Sequence, residues 1–171
     1  MANRMILNET SYFGAGSISA IVDEAKARAF KKILVVTDPS LVKFGVSTKV
    51  TKLLDEANIP YDMYTDIKAN PTIANIQGGV AKFKEAGADA IVAIGGGSSM
   101  DTAKGIAIII ANPEYADVVS LEGAVATKNK CVPIIAVPTT AGTAAEVTIN
   151  YVVTDTEKKR NLSALTRTTS P

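Results

Sequence analysis

A cluster of three glycines separates an apolar run from a helical pattern near the middle of the chain. The segment reads GGGSSMDTAKG at residues 95–105 and follows the apolar run at residues 90–94. Successive glycines allow positive φ angles and let a ligand approach the backbone closely. The start of the following helix would present unpaired N–H groups and a partial positive charge to that ligand. The segment therefore predicts a phosphate-binding loop, and a dinucleotide pyrophosphate is the expected ligand.

The same segment has a purely structural alternative. Ser98 and Asp101, three residues apart, have the spacing of a capping box, and a glycine cluster can simply form a tight turn between strand and helix. Lys104 lies a turn and a half into the predicted helix, so a solvated or packing role is at least as well supported as a phosphate contact. The pattern G-x-x-x-x-G-K-[ST] does not occur in the sequence. A P-loop NTPase is therefore not supported.

Length and composition are those of one compact domain. The chain has 171 residues, of which 47% are hydrophobic and 20% charged, and its formal net charge is +1. Dispersed charges and few aromatic residues give no sign of a nucleic-acid-binding surface. The longest apolar stretch, near Ile106, is too short to span a bilayer, and the first residues lack the apolar core of a secretory signal. The single cysteine, Cys131, excludes an internal disulfide and fits a reducing compartment. Together these features predict a cytoplasmic protein without membrane or nucleic-acid partners.

Strand and helix patterns alternate along the chain. Near-continuous Val- and Ile-rich runs at residues 32–37, 90–94 and 132–137 are typical of strands buried on both faces, and residues 61–64 are a shorter fourth candidate. Apolar residues at helical spacing predict three intervening helices, with faces marked by Val50, Leu53, Leu54 and Ala57, by Ile73, Ile76, Val80 and Phe83, and by Met100, Ala103, Ile106, Ala107 and Ile110. Two adjacent glycines, at 78 and 79, are unfavourable in the second helix by about 1 kcal/mol each relative to alanine. The alternation predicts an α/β fold, a Rossmann-like parallel sheet with flanking helices.

Polar residues follow the predicted strands where ligands of such sheets bind, beyond the carboxyl ends. Asp38 follows the first run, and a carboxylate there can accept a hydrogen bond from a ribose 2′-hydroxyl while repelling a 2′-phosphate. The alternative is a turn residue ahead of Pro39. Thr139, Thr140 and Thr143 follow the last run, and their hydroxyls can donate to phosphate or ribose oxygens or form a turn and helix cap. Together these residues predict an NAD site at one edge of the sheet.

Three separated motifs resemble one enzyme family. They are the glycine segment, the tripeptide Asn70-Pro71-Thr72, and PTTAGTAAEVT at residues 138–148. In this order they are similar to the amino-terminal domain of the iron-dependent (group III) alcohol dehydrogenases, over residues 5–160. The resemblance implies the dehydroquinate synthase-like version of the α/β fold. Most members have Gly-Ser where this chain has Ala144 and Ala145.

The resemblance also implies a set of NAD contacts and a reaction. The positions that match the family's cofactor contacts are Asp38, Asn70, Gly96, Gly97, Ser98, Thr139, Thr140 and Thr143, and Asp101 of the glycine motif is a further candidate. The substrate is expected to be a small alcohol or aldehyde, and the most similar subgroup interconverts lactaldehyde and 1,2-propanediol with NAD. Family members bind Fe²⁺ through one Asp and three His of a helical carboxyl-terminal domain. Because this chain has no histidine, we expect that domain to be missing, the chain to hold no catalytic or metal-binding residue, and the chain alone to be inactive.

Other functions remain open on the sequence. The chain could be a stand-alone nucleotide-binding module or an inert fragment, or a relative in the same fold group such as a glycerol dehydrogenase or a dehydroquinate synthase. Relatives similar to this chain pair through an amino-terminal strand, which predicts a possible homodimer through residues 5–7.

The end of the chain departs from the resemblance. Up to Arg160 the sequence is similar to the family, so residues 1–160 are predicted to form the NAD-binding domain. Residues 161–171 are polar and have neither a helical nor a strand period. We expect them to form a disordered tail that is not native family sequence, as a reading-frame slip would produce. The alternative is an authentic protein with a polar end.

Overall fold

The structure is a computed structural model that describes residues 10–165. Five α-helices and six strands lie in this range. The helices are α1 (Ala20–Ala27), α2 (Pro39–Lys43), α3 (Thr48–Glu56), α4 (Ile73–Ala86) and α5 (Gly97–Ala111). The strands are β1 (Ile33–Thr37), β2 (Tyr61–Tyr64), β3 (Ala90–Gly95), β4 (Ile134–Pro138), β5 (Asn150–Asp155) and β6 (Arg160–Leu165).

Four strands form a parallel sheet in the order β2-β1-β3-β4. Alternate residues of β1 face two separate apolar cores. Leu34 lies in the core that α4 and α5 cover, and Val35 lies in the core that α1 and α3 cover. The predicted α/β fold, a Rossmann-like parallel sheet with flanking helices, is confirmed.

Strand β4 differs in burial from the prediction. The apolar run at residues 132–137 predicts a strand buried on both faces, whereas Ile134–Val137 are only partly buried and Pro138 is exposed. Among the described residues β4 pairs with β3 alone. An edge position leaves a strand partly uncovered whatever its composition, so this part of the prediction is wrong.

The two glycines of α4 allow close packing rather than ending the helix. A Cβ on Gly79 would lie 2.8 Å from Cγ1 of Ile106 in α5 and 3.1 Å from Cε1 of Tyr64 in β2. A Cβ on Gly105 of α5 would in turn lie 3.0 Å from Cγ1 of Ile76. The loss of helix propensity is therefore offset by the close approach of α4, α5 and the sheet.

A hairpin that the sequence did not predict follows the sheet. Strands β5 and β6 pair antiparallel, with Tyr151 opposite Ala164, and Leu162 and Ala164 are buried at 2% and 3% exposure. The expectation of a disordered tail is therefore wrong for residues 161–165. Leu162 and Ala164 are too few to give a strand period in the sequence, and their burial depends on the pairing of β6 with β5. Residues 166–171, and the proposed dimer strand at residues 5–7, lie outside the described residues.

Within residues 10–165, none of the helices is both long enough and apolar enough to cross a membrane.

Candidate cofactor-binding site

The strand order fixes where a ligand can bind. From β1 the chain passes to β2 on one side of the sheet, whereas β3 and then β4 lie on the other side. In a doubly wound sheet of order 2-1-3-4, the crevice lies where the direction reverses, beyond the carboxyl ends of β1 and β3. Asp38 directly follows β1 and Gly96 directly follows β3. The predicted aspartate and glycine segment therefore lie on either side of this switch point.

The start of α5 is open. Gly96 is the N-cap and makes no side-chain capping bond, so the capping box predicted from Ser98 and Asp101 does not form. Within residues 10–165 no carbonyl or side chain accepts from the N–H groups of Gly97, Ser98 and Ser99. The first N–H of the helix to be paired is that of Met100, which donates to the Gly96 carbonyl at 3.2 Å. Unpaired donors and the positive end of the helix dipole make this end suited to an anion.

The segment after β4 lies against the glycines. The Thr139 N–H donates to the Gly95 carbonyl at 2.9 Å. A Cβ on Gly96 would lie 2.9 Å from Oγ1 of Thr140, and a Cβ on Gly97 would lie 3.9 Å from Cβ of Thr143. The Thr139, Thr140 and Thr143 side chains are exposed. The structure therefore brings the glycine segment and the threonines after β4 together beside the start of α5.

Asp38 has a structural role that leaves one of its oxygens available. It is the N-cap of α2, where its Oδ1 accepts from the N–H groups of Ser40 at 2.8 Å and Leu41 at 3.1 Å. Asp38 therefore caps a helix, where the alternative interpretation predicted a turn residue, and this role is compatible with a ligand contact because both bonds go to the same oxygen. Cδ1 of Leu41 lies 3.5 Å from where a Cβ of Gly95 would be. Leu41 of α2 therefore lies beside the glycine segment.

Asn70 is less closely joined to the other candidates. It follows β2 by six residues, is exposed, and has a φ of 58°, in the left-handed region that asparagine tolerates. The next residue, Pro71, is held by the hairpin, because the Thr154 N–H donates to its carbonyl at 2.7 Å. No hydrogen bond in the described part of the chain connects Asn70 with the glycine segment.

Asp101 and Lys104 face the hairpin through their own protein partners. Oδ2 of Asp101 accepts from the Val152 N–H at 3.0 Å. Burial raises the pKa of this carboxyl, against the lowering effects of that N–H and of Lys104. Lys104 is buried, which confirms a packing role over a solvated one. Sequence reasoning missed these connections because their partners lie more than forty residues away along the chain.

Potential iron ligands do not cluster in the part of the chain that the structure describes. The sequence has no histidine, and residues 10–165 contain no group of three or more His, Cys, Asp or Glu side chains that could hold a metal ion. Carboxylates scattered over a surface bind such metals weakly without imidazole or thiolate partners. The open helix start, the exposed hydroxyls and the free Asp38 oxygen do fit a dinucleotide.

Comparisons with known proteins give a family match for this chain. The sequence profile of the family described as "Iron-containing alcohol dehydrogenase" matches residues 8–171. The chain is 56% identical over 160 residues to lactaldehyde reductase of Escherichia coli K12, covering 94% of this chain and 42% of that protein. The chain therefore spans about two-fifths of the length of the relatives that it matches.

Solved structures show the same fold. A 1,3-propanediol oxidoreductase superposes with a TM-score of 0.89 at 36% identity, covering 95% of this chain and 43% of that one. A sulfoacetaldehyde reductase from Bifidobacterium kashiwanohense, solved in complex with NAD⁺, superposes with a TM-score of 0.80 at 27% identity, covering 97% of this chain and 43% of that one. The fold, the profile match and the identity to these relatives lead to one conclusion, that this chain belongs to the iron-containing alcohol dehydrogenase family.

Proposed function

We propose that this chain is the NAD-binding half of an iron-containing alcohol dehydrogenase. The observation that carries the proposal is the uncapped start of α5 at the switch point of the sheet, with the Thr140 and Thr143 hydroxyls beside it. When bound, NAD would supply hydride transfer to or from a carbonyl or carbinol carbon. The chain's own contribution is to bind and orient that cofactor.

The candidate residues divide by the part of NAD that they would contact. The N–H groups of Gly97 and Ser98 and the hydroxyls of the three threonines would hold the pyrophosphate, because they are donors at the positive end of a helix. Gly96 lets this backbone approach the phosphate without a side chain in between. Asp38 would accept from the adenosine ribose through its free oxygen. Asn70 is the least supported of the set and stays a proposal from the family resemblance.

We propose that the parent reaction is the NAD-linked interconversion of lactaldehyde and 1,2-propanediol. This is supported by the 56% identity to a lactaldehyde reductase. Because the sequence has no histidine and residues 10–165 contain no cluster of metal-ligating side chains, we expect the 171-residue chain to bind NAD without turning over an alcohol. Pairing through residues 5–7 and a cytoplasmic location are further proposals, to be tested by sedimentation and by fractionation of cells.

The proposal is tested by titrating the purified chain with NADH and following the nicotinamide fluorescence. We expect a saturable change with one site per chain that ADP competes away, because ADP carries the same pyrophosphate and adenosine. A linear response up to millimolar NADH would contradict the proposed cofactor site. Propanediol oxidation by the chain, or one tightly held iron per chain by elemental analysis, would contradict the proposal that it is inactive alone.

Asp38 should determine the preference for NADH over NADPH. A 2′-phosphate within about 4 Å of the carboxylate would cost roughly 1 to 4 kcal/mol, depending on the local dielectric. Asp38→Asn keeps a side-chain oxygen that can cap α2 but removes the charge. We expect the ratio of the NADPH to the NADH dissociation constant to fall at least about tenfold, because a binding free energy of about 1.4 kcal/mol corresponds to a tenfold change in a dissociation constant. Asp55→Asn, at an exposed position of α3, is the control, and an unchanged ratio in Asp38→Asn would show that Asp38 does not face the ribose.

A further inference from the structure

A buried lysine joins the helix of the glycine segment to the hairpin. Lys104 in α5 is 7% exposed. Its Nζ donates to Oγ1 of Thr148 at 3.1 Å and to the carbonyl of Asn150 at 2.7 Å. It also lies 3.8 Å from Oδ1 of Asp101, one turn earlier on the same helix. The ammonium therefore binds both its own helix and the end of the segment that leads into β5.

Two carboxylates balance the charge of this lysine. Burial lowers the pKa of Lys104, whereas the Asp101 and Glu146 carboxylates raise it. Glu146 belongs to the same 139–148 segment as the candidate threonines, and its Oε2 is buried without a hydrogen-bond partner in the described part of the chain. Asp101 extends the connection, because its second oxygen accepts from the Val152 N–H of β5. Removing any one of these groups would leave the others incompletely paired.

Lys104 is bonded to protein partners rather than placed at the start of its helix. Seven residues separate it from Gly97, which corresponds to about 10 Å along the helix axis. Its ammonium donates to Thr148 and Asn150 and forms an ion pair with Asp101. Any effect of Lys104 on a bound cofactor must therefore pass through the segment that it holds.

That segment is fixed at both ends and in the middle. At its beginning Thr139 is bonded to Gly95, and at its end Thr148 is bonded to Lys104. Between these points Ala145 is buried at 6% exposure, and its N–H donates to Oγ1 of Thr143 at 3.4 Å. The exposed hydroxyls of Thr140 and Thr143 lie between the fixed points. Their position relative to the start of α5 thus depends on both attachments.

We propose that Lys104, supported by Asp101, is a positioning residue for the cofactor. It clamps the end of the 139–148 segment to the helix whose start would hold the pyrophosphate, so that helix donors and threonine hydroxyls face one ligand together. This inference rests on the proposed NAD site.

The test compares variants of the full 171-residue chain in NADH titrations. Lys104→Met keeps most of the side-chain volume and removes the ammonium. We expect the NADH dissociation constant to rise about three- to tenfold, because this change corresponds to the loss of one to two buried hydrogen bonds. Thr148→Val breaks one bond of the clamp without leaving a buried carboxylate unpaired, so it serves if Lys104→Met folds poorly. Lys84→Met, at an exposed position of α4, controls for loss of a positive charge.

A double-mutant cycle separates positioning from general destabilisation. In a Thr140→Val/Thr143→Val background the two hydroxyls that lie between the fixed points are absent, so Lys104→Met should change the NADH dissociation constant less than twofold. An equal effect in both backgrounds would overturn the proposal.

Hydrogen exchange without cofactor gives a readout that does not depend on NAD binding. Backbone amides of residues 139–148 should exchange faster in Lys104→Met and Thr148→Val than in the parent chain, while those of β1 and β3 stay unchanged. Unaltered exchange in 139–148 would overturn the clamp. Failure of the parent chain to bind NADH would overturn the proposed function, and the exchange comparison would still decide the clamp.

Discussion

Replacing Leu162 by alanine is expected to lower the free energy of unfolding by about 2 to 5 kcal/mol. Leu162 is 2% exposed on β6, opposite Val153 of β5. Truncation removes apolar contacts and leaves a cavity that neighbouring side chains fill only in part. For a domain whose total stability is about 5 to 15 kcal/mol, this is a large share.

The neighbouring residue on the same strand provides the control. Ser163 is exposed, so Ser163→Ala should change stability by no more than about 0.5 kcal/mol. Urea unfolding followed by circular dichroism measures both variants. If Leu162→Ala matched Ser163→Ala, β6 would not be packed as described, and the sequence-based expectation of an unpacked tail would regain support.

Replacing Gly97 by aspartate is expected to raise the NADH dissociation constant about a hundredfold, roughly 3 kcal/mol. The new carboxylate would stand at the first position of α5, within about 4 Å of a bound phosphate, where like charges repel by about 1 to 4 kcal/mol. An acidic residue in the first turn of a helix stabilises the helix. The variant should therefore unfold at the same urea concentration as the parent or a higher one, while losing NADH.

Gly97→Ala is the matched control for size. A Cβ at this position meets nothing closer than 3.9 Å, the Cβ of Thr143, so the alanine variant should bind NADH within about threefold of the parent, an energy below 1 kcal/mol. Aspartate and alanine variants with equal affinities would mean that no anion binds at the start of α5.

The sequence predicted the parallel sheet because its signals are local. Continuous Val and Ile runs mark buried strands wherever they occur, and the strands β1, β2, β3 and β4 all lie within or close to the predicted runs. The position of Asp38 and the glycines beyond the strand ends follows from the same runs. For this reason the edge of the sheet and most of the candidate site could be anticipated.

What the sequence did not predict depends on partners that are distant along the chain. Ser98 and Asp101 have capping-box spacing, yet the Asp101 carboxylate is bonded to Val152 of the hairpin. The strand character of residues 160–165 depends on pairing with β5 and on an apolar core from other elements. The five-residue helix α2 is too short for a periodic pattern, and it forms because Asp38 caps it and Pro39 begins it.

The register of the sheet also determines how the protein must fold. Ile33 of β1 pairs with Tyr61 and with Ala90, and Ile91 pairs with Ile134, so each strand pair closes a long loop before it gains any contact. Topologies of this kind fold slowly, and their unpaired strands are prone to associate with other molecules. Among the strands of residues 10–165, β1 is made first during synthesis, and its two neighbours in the sheet, β2 and β3, are made later. Strand β1, which lies between β2 and β3 in the finished sheet, is thus a segment that can associate with other molecules while the chain is being produced.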